Sequence, residues 1–168
     1  MRRIEFFARN GMHTVLVRHG TASIHSKLDT GSPISVMDLN AVERFTGGDA
    51  DIFLKEVEKH SISPIPFWGY GRQKTKCYLC SITSFWVGNY FFPKYFTAVS
   101  CFRNTNMEGI FQPKILLGED LLSCCRGTIE YNGNILLDMV NEGLQKQMML
   151  KIFSENLGGI FSLDEVSQ

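Results

Sequence analysis

The sequence predicts one α+β domain over residues 1–168, with a mixed or antiparallel sheet, short helices and a C-terminal helix. Three observations lead there. Short blocks of β-branched and aromatic residues, bounded by glycine and asparagine, have the composition of strands. Other segments repeat apolar residues at three and four, the period of a helix. The length is that of one ordinary domain, and neither an internal repeat nor a low-complexity linker divides it.

The first strand is expected at "TVLV", closed by Gly20, and "TGSPIS" is a turn cluster. In "SVMDLNAVERFTGG", Val36, Leu39, Val42 and Phe45 recur at three, so a helix is expected, with Ser35 as N-cap and Gly47-Gly48 as its stop. "DADIFLKEVEKHS" reads as a second short helix, starting near Asp49 or Asp51, and its late Lys59-His60 suits the helix dipole. "SPIPFWGYGR" holds two prolines, two glycines and three aromatics and reads as a rigid loop. "KCYLCSITSFWVGNYFF" predicts strand, a turn at Gly88-Asn89, and strand. "PKYFTAVSCFRNT" fits a helix with Pro93 in its first turn. "GIFQPKILLG" predicts an edge or bulged strand, because Pro113 interrupts it. "GTIEYNGNILL" carries an Asn-Gly hairpin turn. From Asn134, the spacing of Leu137, Val140, Leu144, Met148 and Ile152 predicts a helix of about five turns, weakened at Gly143 and ended at Gly158-Gly159.

Lys plus Arg and Asp plus Glu number 17 each. That balance provides no extended nucleic-acid surface. Five cysteines, an odd number without a framework, read as reduced buried thiols rather than a disulfide scaffold. "CYLC" has metal-pair spacing, but on a strand Cys77 and Cys80 face opposite sides, and Cys124-Cys125 is a poor second half, so no metal is expected. "MRRIEFFARNG" lacks the apolar core of a cleavable signal, and "FWVGNYFF" is far shorter than the ~20 residues of a membrane span. The expected setting is cytoplasmic, or a cytosol reached without a cleaved signal.

The most pointed stretch is "HTVLVRHGTAS", where a strand delivers Arg18, His19 and Gly20 together, followed by Thr21. "VRHGTAS" resembles the histidine-glycine-threonine strand of ADP-ribosyltransferases, and "GNYFFPKYFTAVS" is similar to their later tyrosine segment. The resemblance implies a transferase, a toxin or effector among its forms, that moves ADP-ribose from NAD to a macromolecular target, with a protein the expected partner. It implies that His19 and Thr21 hold the nicotinamide ribose and that Gly20 admits the cofactor. Arg18 would take a phosphate, and Tyr90 would stack on nicotinamide. Glu119 or Glu130 would stabilise the reacting sugar.

"VLVRHG" also resembles the opening strand of the histidine phosphatases, with His19 as phosphoryl acceptor, Arg18 on its oxygens and Arg72 as a second arginine. None of the four histidines lies in the last 108 residues, so the late histidine of that family has no counterpart. A phosphoryl-transfer enzyme or a degenerate phosphate binder is the alternative. A third reading is a non-enzymatic interaction or inhibitor module using the aromatic loop Phe67 to Tyr70. An Arg-His-Gly strand end also arises by chance, and the aromatic cluster from Phe67 to Phe96 is equally the composition of a core.

Overall fold

In the computed structural model, which describes residues 2–69, 73–101, 113–153 and 159–166, the chain opens with three antiparallel strands. These are β1 (Arg3–Arg9), β2 (Met12–His19) and β3 (Ala22–Leu28). Alternation sets the faces of β2: Val15 and Val17 are buried, whereas Leu16 and Arg18 are exposed. β4 (Val36–Met37) follows, then α1 (Leu39–Thr46) and α2 (Ala50–Lys59). Next come β5 (Ile65–Gly69), the long β6 (Gln73–Val87), β7 (Tyr90–Ser100), β8 (Ile115–Leu117) and the one-turn α3 (Glu119–Leu122). The hairpin β9 (Cys125–Tyr131) and β10 (Asn134–Met139), α4 (Gly143–Ile152), β11 (Phe161–Ser162) and a 3-10 turn at Leu163–Val166 complete the described chain.

Six strands close into a barrel in the order β2, β3, β8, β4, β7, β6, and β6 returns to β2 through the Arg18–Trp86 and His19–Phe85 pairs. The α+β expectation is therefore corrected: the protein is mostly β, with eleven strands among the described residues in one sheet that closes on itself. Two chain crossings interlock the barrel. β3 and β4 flank β8, and β7 and β8 flank β4. Closure removes the exposed edges that an open sheet would leave. The interior is filled by Val15, Val17, Ile82, Phe85, Tyr95 and Leu117 among others, and Phe85 stacks on Tyr95 at 4.6 Å. β1 leaves β2 after three pairs and joins β10, carrying the β9–β10 hairpin outside the barrel.

Both short helices lie near their expected places. Asp49 caps α2, and Gly47 ends α1 in the left-handed conformation, at φ 74°. The α1 cap is Asp38, not Ser35, whose hydroxyl is buried in a network described below. Four expectations fail: the "SPIPFWGYGR" loop holds strand β5 paired to β6, and the expected edge strand is β8, which begins after Pro113 and is paired on both sides by β3 and β4. "PKYFTAVS" is part of β7, not a helix. Pro93 is accommodated because the β6–β7 ladder is interrupted opposite it, where Ser84 takes φ 52°. The five-turn helix from Asn134 is instead β10 followed by α4. The Gly88-Asn89 turn and the Asn132-Gly133 hairpin are present. No helix among the described residues is long and apolar enough to cross a membrane.

Candidate functional site

The strand end at His19 answers to ordinary packing. His19 and Arg18 point to opposite faces of β2, as alternation requires. His19 Nδ1 donates to the Thr83 carbonyl oxygen at 2.8 Å, and its ring meets Phe45 edge-on. Arg18 lies outside, 5.0 Å above the Trp86 ring. Gly20 forms the β2–β3 turn at φ 60°, with Thr21 exposed beside it. Tyr90 starts β7, two strands from His19, and its hydroxyl donates to Glu142 Oε2 at 2.6 Å while accepting from Arg2. Burial, together with that Glu142 contact, raises the Tyr90 phenol above its ordinary value. Glu119 opens α3, and Glu130 is exposed on β9, outside the barrel. Arg72 and Tyr70, and with them the tip of the aromatic loop, lie outside the described residues.

His19, Tyr90, Glu119 and Glu130 thus belong to four separate surroundings. The expectation of an ADP-ribosyltransferase, with its toxin and effector forms, is corrected on that geometry. The phosphatase alternative lacks its paired side chains as well, since Arg18 and His19 lie on opposite faces of β2 with separate partners. A cavity of about 640 Å³ does open where β1 leaves β2. It is lined by Arg3, Glu5, Phe7, Leu16 and Arg18, with His19 and Tyr90 outside it.

A different cluster is assembled by the barrel crossing. β3 ends at Leu28, and Asp29, Thr30, Gly31 and Ser32 turn the chain towards β4. Asp29 Oδ1 accepts the Gly31 N–H at 3.0 Å, and the Ser32 N–H returns to the Asp29 carbonyl at 3.1 Å. This is the side-chain turn that aspartate forms two residues ahead of a glycine. The loop is then fixed from the neighbouring strand. The Asp29 N–H donates to the Leu117 carbonyl at 2.8 Å, and the Glu119 N–H to that of Ser32 at 2.8 Å. Between these bonds sits Gly118. A side chain there would place its Cβ 2.6 Å from the carbonyl oxygens of both Ser32 and Ile34. Only glycine lets the two crossings approach this closely.

Beneath the loop is a buried polar network. Ser35, Tyr95 and Asp120 have no exposed surface, and Gln145 is 1% exposed. The Ser35 hydroxyl donates to Asp120 Oδ2 at 2.8 Å. It can then accept from the Tyr95 hydroxyl at 2.8 Å and from the Gly118 N–H at 3.4 Å. Gln145 Nε2 donates to Asp120 Oδ2 at 2.7 Å. Burial raises the Asp120 carboxyl above the ordinary range, against the hydrogen bonds from Gln145 and Ser35, which favour its charged form. Asp29 itself is half-buried and reaches solvent.

Reading the sequence missed this cluster. "TGSPIS" was legible only as a turn, and "ILLG" only as the end of a strand. The usable signal was Asp29 with glycine at the second position after it, directly following an alternating strand. Five thiols are free, and Cys77 and Cys80 do fall on opposite faces of β6, one in each apolar cluster. Burial pushes the Cys77 thiol up to about 12, the state of a packed and unreactive group.

No family model and no curated protein matches the sequence. Among solved structures, the chain is similar to a retropepsin-like aspartic protease from Rickettsia conorii, at 15% identity and a TM-score of 0.48, over 80% of this chain and 88% of that one.

Proposed function

We propose that the chain is one half of a hydrolase of the aspartic protease class, with Asp29 as its reactive carboxylate and a second copy of the chain supplying the other. One observation carries the reading: a half-exposed carboxylate stands on a turn that is immobilised from beneath by two main-chain bonds and an obligatory glycine. A surface turn needs no such bracing, whereas a catalytic carboxylate does. The other aspartates are otherwise placed. Asp38 and Asp120 are buried, Asp49 caps α2, Asp138 pairs with Arg3 and Asp164 bonds Thr83, while Asp51 lies within α2.

A single carboxylate cannot serve as base and acid in the same step. Two that face each other hold one proton between them, so one is ionised while the other is a donor. The ionised carboxylate takes a proton from water as its oxygen attacks the peptide carbonyl carbon. The protonated partner gives its proton to the carbonyl oxygen. The tetrahedral diol then collapses: one hydroxyl returns a proton to the carboxylate that had protonated the carbonyl oxygen, the C–N bond breaks, and the leaving nitrogen is protonated by the carboxyl that took the water's proton. The test is cleavage of a quenched fluorescent peptide library between pH 4 and 7. Asp29→Asn keeps the shape of the turn and removes the base, so cleavage is expected to fall at least ~1,000-fold. Cleavage by Asp29→Asn at the wild-type rate would dismiss the assignment.

A further inference from the structure

We propose that Gln145, on α4 outside the barrel, is a positioning residue for the Asp29 loop; the inference rests on the reading of Asp29 given above. α4 docks through apolar contacts, with Met149 and Phe153 packed against Ile34, Val36, Leu79 and Phe96. Those contacts would seat the helix without any polar group. Yet Gln145 is buried beside them, and burying an amide is costly unless its hydrogen bonds are met.

They are met at two places. The first is β7. The parallel β4–β7 pairing covers only Ala98 and Val99, so opposite Phe96 strand β4 has not yet begun. There Gln145 Oε1 accepts the Phe96 N–H at 3.1 Å, and Nε2 donates to the Phe96 carbonyl at 2.6 Å. The side-chain amide extends the ladder ahead of that strand. The second place is Asp120, which Nε2 reaches at 2.7 Å. Asp120 in turn holds Ser35, and Ser35 ties the Gly118 brace beneath the loop to strand β7. Its hydroxyl faces the Gly118 N–H, and its carbonyl accepts the Ala98 N–H at 3.0 Å. The Gly118 N–H, the Ser35 hydroxyl and the Gln145 amide lead in turn to Asp120, so removing Gln145 takes one of the hydrogen bonds from Asp120 Oδ2 and loosens the Ser35 contact that supports Gly118.

Gln145→Met keeps the length of the side chain and deletes its hydrogen bonds. Hydrogen exchange at single-amide resolution is expected to quicken by about tenfold or more at Asp29 and Glu119, whose N–H groups fix the loop, and to stay native at Ile135 and Leu137 in β10. In the cleavage assay, kcat is expected to fall about tenfold with KM within about twofold, because position and not substrate contact is lost. Met149→Ala disturbs the packing of the same helix without touching the network, and is expected to lower stability without the local acceleration. Native exchange at Asp29 and Glu119 in Gln145→Met, or equal acceleration in Met149→Ala, would overturn the proposal. If Gln145→Met does not fold, Gln145→Asn, one methylene short of its partners, is read by the same criterion. The exchange experiment is blind to hydrolysis. A failure of the Asp29 reading would therefore show separately, as absent cleavage with the exchange pattern intact.

Discussion

Two buried carboxyls make the residue scale informative. Asp38 has no exposed surface; its Oδ1 accepts the Ala41 N–H at 2.9 Å and the Lys114 N–H at 3.1 Å, while its Oδ2 has no partner among the described residues. Burial pushes its carboxyl up to about 6, against the backbone amides that favour the charge. The folded chain therefore binds a proton that the unfolded chain, with an ordinary carboxyl near 3.8, does not hold until the pH is lower. Stability is expected to rise as the pH falls from about 7 to about 4, by on the order of 2–3 kcal/mol from this residue. Asp120 shifts in the same direction. Asp138 opposes them in stronger acid, because the Arg3 hydrogen bond holds its carboxyl below the usual range and that pairing is lost as it protonates. Urea titration at a series of pH values checks this, and Asp38→Asn should flatten the rise. A midpoint that falls steadily from pH 7 to 4 would contradict it.

At the scale of elements, the crossing of β3–β4 with β7–β8 brings segments 88 residues apart into one loop-and-brace unit. Gly118→Ala tests it. The added methyl would meet two carbonyl oxygens on the partner crossing, neither of which can retreat without moving the loop. A loss of about 1–3 kcal/mol is expected in denaturant melts, together with a collapse of cleavage out of proportion to the stability lost. An alanine variant with native stability and native cleavage would show that the close approach is dispensable. The same unit explains what the sequence revealed and what it hid. Local rules worked where local chemistry decides: the Asp49 cap, the Gly47 stop, and the turns at Gly88-Asn89 and Asn132-Gly133. They failed at Leu137, Val140, Leu144, Met148 and Ile152, which keep helical spacing across the junction between β10 and α4. The period-two signal of Ile135, Leu137 and Met139 was present beneath it. Asp29 was passed over because its role comes from Leu117, Gly118 and Glu119, a non-local contact that no window of neighbouring residues contains. His19 drew attention for the opposite reason. Its local pattern is suggestive, but Thr83 and Phe45 already occupy it.

At the scale of the whole molecule, the barrel presents one braced carboxylate, and the chemistry requires two. In the function proposed above, two copies bring their Asp29 loops together. The most direct measurement mixes wild-type protein with Asp29→Asn at constant total concentration, allows subunits to exchange, and follows peptide cleavage. If each active unit needs Asp29 from both copies, and mixing is random, the rate is expected to fall as the square of the wild-type fraction. An equal mixture would then retain about a quarter of the activity. A rate that falls in simple proportion, with half retained in the equal mixture, would contradict the account, because each copy would then be working alone.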